Sequence, residues 1–176
     1  YAYDIASPRE LDGVIMVPGT WGAPLDDALV QDLLERYSAT PTCIIGARWR
    51  DAPSVRIDNA TGVQELTQHL IEVHGRRRLA FIAGRGLEAE ERQVGFERAL
   101  AAAGLALDPA LMFGGDFSFE AGREAALRWC SDGRAACDAI VAANDWMAAG
   151  ALELFQERGI RVPEDVSMVG FDDIDR

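Results

Sequence analysis

Short apolar runs that end in Gly, Asn or Asp alternate with helical stretches along this chain, and that alternation restricts its fold more than any other feature. Ala139-Ile140-Val141-Ala142-Ala143 leads straight into Asn144-Asp145, and Val166-Ser167-Met168-Val169-Gly170 leads into Phe171-Asp172-Asp173. Between them lie a helical stretch from Trp146 to Arg158, a stop at Gly159 and a turn opened by Pro163. Buried parallel strands read as short apolar runs, and open α/β sheets take ligands beyond the carboxyl ends of such strands. An amide and a carboxylate offered together at that edge suit the hydroxyls or ring nitrogens of a small polar molecule.

The same reading extends along the chain. Val14–Val17 and Thr42–Gly46 are expected strands, with a helix between them that carries Leu25, Leu29, Leu33 and Leu34 at helical spacing. Residues 47–56 are polar, contain Trp49 and Pro53, and read as a crossing segment. A helix bearing Val63, Leu66, Leu70 and Ile71 follows and ends near Gly75; Leu79–Ala83 is a strand. The next helix carries Val94 and Leu100 and stops at Gly104; Leu111–Phe113 is another strand. Ser118 is the expected N-cap of a helix that buries Ala121, Ala125 and Trp129. Four strand units joined by right-handed crossovers suffice for a core of their own, whereas the first fifty residues supply too little for one. The expected division is therefore residues 1–56, part of one lobe, and residues 57–176, most of another.

Composition limits the function classes. The net charge of −12 gives no overall pull on phosphate backbones. All 17 basic residues are Arg, which we read as genome composition rather than as a binding surface. The one basic run, Arg76-Arg77-Arg78, falls between a helix end and a strand start, where cations complement the helix dipole. No apolar run approaches the roughly 18 residues of a membrane helix, and no membrane association is expected. Cys43, Cys130 and Cys137 form no CxxC pair; we expect Cys43 in the core, a reducing, cytoplasmic setting and no metal site. The chain opens at Tyr1 rather than Met, so an upstream segment is expected.

Gly84-Arg85-Gly86 starts like a dinucleotide fingerprint, but Ala89 supplies its third small residue only loosely and Glu88, Glu90 and Glu91 would crowd a pyrophosphate, so it reads as a turn. Asp172, Asp173 and Asp175 could hold magnesium or act as an acid–base pair, yet no nucleophile or phosphate cradle stands nearby. His69 and His74 share one helix far from these carboxylates and read as surface or capping residues. Arg92 opens a helix that follows a strand, so its planar fork could reach the sheet edge; pairing with Glu88 or Glu91 is the competing reading. Phe117, just past a strand end, could stack on a ring or could simply be core.

Taken together, Val73–Gly84, Arg92-x-x-Gly95-Phe96, Gly115-Asp116-Phe117-Ser118, Ala143-Asn144-Asp145-x-Met147-Ala148-x-Gly150-Ala151 and Arg161–Asp173 resemble the ligand-binding domain of the lac repressor (LacI/GalR) family. The resemblance covers essentially the whole chain and is dense from Asp58 onward. It departs from the family pattern at Val73-His74-Gly75, where Leu-Gly-His is usual.

That resemblance implies an α/β, periplasmic-binding-protein-like (type I) fold with parallel sheets flanked by helices, closing on a sugar, a nucleobase or a similar effector. It makes Arg92, Asn144 and Asp172 the polar ligand contacts and Phe117 the ring-stacking wall. Trp146 and Trp21, with Trp49, are added from loops expected to face the cleft, where packing is the competing role. It further implies a non-enzymatic, cofactor-free sensor that pairs as a homodimer and reaches operator DNA only through a helix-turn-helix outside this chain. A sensor module of a signalling enzyme, a solute receptor, and an enzyme using Asp172 and Asp173 are the alternatives.

Overall fold

The computed structural model describes residues 10–17, 27–47, 51–131 and 137–175. Two compact units divide it, Tyr1–Ile57 and Asp58–Arg176.

In the first unit, β1 (Val14–Met16) pairs in parallel with β2 (Thr42–Ile45), which pairs in parallel with β3 (Ser54–Val55). Helix α1 (Asp27–Arg36) connects β1 to β2, and Met16, Leu33, Tyr37, Ile44 and Ala47 form a small core. Strand β3 lies within the stretch read as an irregular crossing. Main-chain bonds make it a strand: Ile44 N–H donates to Pro53 O and Gly46 N–H to Val55 O, both at 2.9 Å. Both of its side chains are exposed, so no apolar pattern marks it. Cys43, expected in the core, is only half-buried, because the neighbouring Ile44 takes the inward position on β2.

The second unit is a four-stranded parallel sheet, in the order β5-β4-β6-β7. Its elements are α2 (Asn59–Glu72), β4 (Leu79–Ile82), α3 (Leu87–Ala102), a 3-10 turn (Pro109–Leu111), β5 (Met112–Phe113), α4 (Phe119–Ser131), β6 (Ala139–Ala142), α5 (Asp145–Glu157) and β7 (Ser167–Val169). All four residues of β4 and all four of β6 are buried, as befits central strands covered on both faces. The cover comes from two helix pairs, α2 with α3 and α4 with α5.

Missing side chains make those pairs tight. A Cβ at Gly95 of α3 would lie 2.2 Å from Ala60 O on α2, and one at Gly150 of α5 would lie 2.0 Å from Phe119 O on α4. The face of α3 that packs inward carries Ala89, Arg92, Gly95, Phe96, Ala99 and Leu100. Phe96 stacks on Phe81 of β4 with ring centroids 5.0 Å apart. Val94, expected on this face, points outward and is 39% exposed, because Arg92 occupies the inward turn instead. Ser118 does cap α4, its Oγ accepting from Ala121 N–H at 3.1 Å.

Candidate functional site

The sheet order turns back on itself between β4 and β6. From β4 the chain goes outward to β5, then crosses back to β6 and on to β7. The carboxyl ends of β4 and β6 therefore diverge at a topological switch point, where open α/β sheets form their crevice. Ala83-Gly84 leave β4 there and Ala143-Asn144 leave β6, while the ends of β5 and β7 supply Phe117 and Phe171-Asp172.

Arg92 organises this edge. Only 3% of the residue is accessible, which is unusual for a cation. Its Nε donates to Asn59 Oδ1 at 2.9 Å and its Nη1 to Ala143 O at 2.6 Å. The same Nη1 lies 3.1 Å from Asp172 Oδ1. The guanidinium carbon also sits 4.3 Å from the centre of the Phe171 ring and 5.6 Å from that of Phe117, both within cation–π range. Glu91, one of the carboxylates considered for Arg92, instead accepts from Asn59 Nδ2 at 2.9 Å. The buried cation thus ties α2, α3 and the ends of β6 and β7 to one point.

Asp172 is the most accessible of the residues that contact Arg92, with 33% of its side chain open. Burial pushes its carboxyl above the ordinary value; Arg92 opposes that shift and the carboxylate of Asp145 adds to it. Its backbone has φ of +114° and that of Asp173 +56°, a left-handed stretch that non-glycine residues enter at a cost. Asp145 holds this turn. Its own N–H donates to Phe171 O at 2.8 Å, and its Oδ2 accepts from Ile174 N–H at 3.0 Å.

Asn144 is buried, and both ends of its amide meet protein. Oδ1 caps α5 by accepting from Met147 N–H at 3.0 Å, and Nδ2 donates to Phe117 O at 3.1 Å. Phe117 itself has φ of +71°, and its half-buried ring lies against Gly84, where a Cβ would come within 2.3 Å of it. Trp146, the second residue of α5, follows Asn144 at the same edge and is 48% exposed. Trp21 and Trp49 lie outside the described residues.

Arg92, Asn144, Asp172 and Phe117 thus converge, with Trp146 beside them. Sequence reasoning missed Asn59, Phe171 and Asp145, the residues that hold the others. Asn59 gives no local sign of its role, since its partner Arg92 is 33 positions away. Asp145 stood in the motif but read as part of the polar cluster. Among the described residues, no group of three or more His, Cys, Asp or Glu side chains gathers to hold a metal. No helix among them is long and apolar enough to cross a membrane.

Residues 67–175 match the family described as a periplasmic binding protein-like domain. The chain belongs to this family. Within it, the chain is an effector-binding domain of the kind found in LacI-family transcriptional regulators, as its relatives show. It is 38% identical over 172 residues to the HTH-type transcriptional regulator CelR of Thermobifida fusca, covering 94% of this chain and 48% of that protein. It is 31% identical over 181 residues to the HTH-type transcriptional repressor CytR of Escherichia coli K12, covering 98% and 49%. The chain spans about half the length of the curated relatives it matches. Among solved structures, a LacI-family regulatory protein from Chloroflexus aggregans superposes with a TM-score of 0.81 at 28% identity, over 98% of this chain and 60% of that one. A complex of the regulator CelR with cellobiose superposes with a TM-score of 0.80 at 35% identity, over 98% and 52%. These relatives are named as regulators of transcription and not as enzymes.

Proposed function

We propose that this domain senses a small polyhydroxylated ligand of the sugar class at the carboxyl edge of the β5-β4-β6-β7 sheet. In the whole protein, which we expect to act in the cytoplasm, occupancy would alter operator affinity through a helix-turn-helix outside this chain. The observation that carries the reading is the Arg92–Asp172 pair at the switch point, with the Phe117 ring beside it. The contacts of Arg92 use Nε and Nη1, so the Nη2 edge of the fork is the part a ligand would engage. Asp172 accepts hydrogen bonds when ionised, and a hydroxyl pair donates them. Phe117 and Trp146 provide apolar faces of the kind the C–H surface of a sugar ring packs against. The cellobiose complex of the CelR relative favours a sugar over a nucleobase.

A ligand that binds one arrangement of the domain better than another shifts the population toward it, and that differential affinity is all an effector needs to change a distant output. The test is tryptophan-fluorescence titration with cellobiose, hexoses, pentoses, nucleosides and nucleobases, on the wild-type protein and on Asp172→Ala. Saturable binding of a saccharide that Asp172→Ala abolishes supports the reading. Saccharide binding unchanged in Asp172→Ala removes this sheet edge as the site, and a response only to nucleosides or nucleobases overturns the sugar assignment.

A further inference from the structure

We propose that His69 and His74 together form a bidentate seat for one divalent first-row transition-metal ion, separate from the sheet-edge site. The two Nε2 atoms face each other at 3.1 Å, with the rings edge to face and their centroids 4.9 Å apart. A zinc–imidazole bond is about 2.0–2.1 Å long, so two nitrogens 3.1 Å apart would subtend an angle of about 95–102° at an ion seated between them. That angle suits octahedral geometry and needs only a slight opening for tetrahedral geometry.

The end of α2 fixes the pair in this position. Val73 N–H donates to His69 O, and Arg76 N–H reaches back to Leu70 O, both at 3.0 Å. Val73, the αR C-cap, continues the turn far enough to set His74 over His69, and Gly75, with φ of +66°, then turns the chain away from the helix. The approach of the rings is thus set by helix-end geometry, and chelation would need little reorganisation.

Proton bookkeeping also permits the ion. The observed contact needs one Nε2 to donate and the other to accept. If the donating ring moves its proton from Nε2 to its own Nδ1, both Nε2 lone pairs become available and a cation takes the place of the shared hydrogen with no net proton release. Two of the neighbouring arginines are directed elsewhere: Arg76 Nη2 donates to Pro163 O at 3.1 Å, and Arg78 Nη2 lies 3.8 Å from Asp108 Oδ2. With two protein ligands the site is open, water fills its other positions, and imidazole donors favour Zn2+, Ni2+ or Cu2+ over Mg2+ or Ca2+.

The experiment uses tag-free protein, wild type and the single variants His69→Ala and His74→Ala, whose exposed positions leave the core intact. Zn2+ is titrated calorimetrically, and Cu2+ at one equivalent is examined by electron paramagnetic resonance. We expect one ion per chain, a copper signal split by two equivalent nitrogens, and an affinity at least about tenfold lower in either variant. Zn2+ should also raise the Tm of the wild type and not of the variants, since an ion held only by the folded helix end stabilises that state. Failure to bind, binding unchanged in either variant, or binding lost in Cys43→Ser or Cys130→Ser with both histidines present would overturn the assignment.

Discussion

Asn144 holds Phe117 by its main chain: the buried amide donates from Nδ2 to Phe117 O while Oδ1 of the same group caps α5. One side chain thus fixes both the start of a helix and a residue in the left-handed region. Removing an N-cap costs about 0.5–2 kcal/mol, and Asn144→Ala should also release the loop that carries Phe117. Asn144→Asp separates the two tasks, because it keeps a cap acceptor but sets a carboxylate against the Phe117 carbonyl. In urea denaturation we expect both variants to lose stability. Hydrogen exchange should show the start of α5 loosened in Asn144→Ala alone and the segment around Phe117 loosened in both.

The ring of Phe117 occupies space that any side chain at position 84 would fill. A Cβ on Gly84 would sit 2.3–2.7 Å from three ring carbons, well inside contact distance. Overpacking of this kind typically costs about 1–3 kcal/mol. We expect Gly84→Ala to be destabilising in the wild-type background and nearly neutral in Phe117→Ala. A double-mutant cycle by chemical denaturation measures the coupling; additive effects would mean the ring does not depend on the missing Cβ.

Cys137 should be inert in the folded protein. Burial raises its thiol to about 11, and Trp129 Nε1 donates to its sulfur at 2.9 Å. Thiolate is the reactive form, so at pH 8 little of it is available. Titration with a disulfide reagent at that pH should leave Cys137 unmodified until denaturant is added, with peptide mapping to assign the site.

These sites also show which parts of the molecule were legible from sequence. Strands β4 and β6 were readable because central parallel strands are buried on both faces and their residues are all apolar. Strand β3 was not, since two exposed residues held by main-chain bonds leave no pattern. On α3 the apolar period misled: Val94 faces outward and the buried position belongs to a cation, Arg92. A binary pattern fails where a charged side chain is buried for a purpose, which is why such failures collect at functional sites. Asn144 could be placed at the sheet edge from its strand. Its hold on Phe117, 27 residues earlier, could not, because nothing local in the sequence encodes that approach.

The raised carboxyl of Asp172 makes a prediction about pH. Burial outweighs the attraction of Arg92 and is reinforced by Asp145, so the folded state holds the proton more tightly than the unfolded chain. Below the ordinary carboxylate value both states are protonated, and the group has no effect on stability. As pH rises from that value through the raised one, the unfolded chain loses its proton first and gains relative stability. Ionised Asp172 therefore weakens the fold at neutral pH, by an amount that its partial exposure to solvent keeps small. The isosteric Asp172→Asn removes the charge, so its Tm at pH 7 should be slightly above that of the wild type, and the difference should vanish on acidification below pH of about 4. If the edge is a ligand site, the same substitution weakens binding while it stabilises the domain, the opposed pair of effects expected where a carboxylate is kept for function. A Tm for Asp172→Asn lower than wild type at pH 7 would mean that the Arg92 pair outweighs burial.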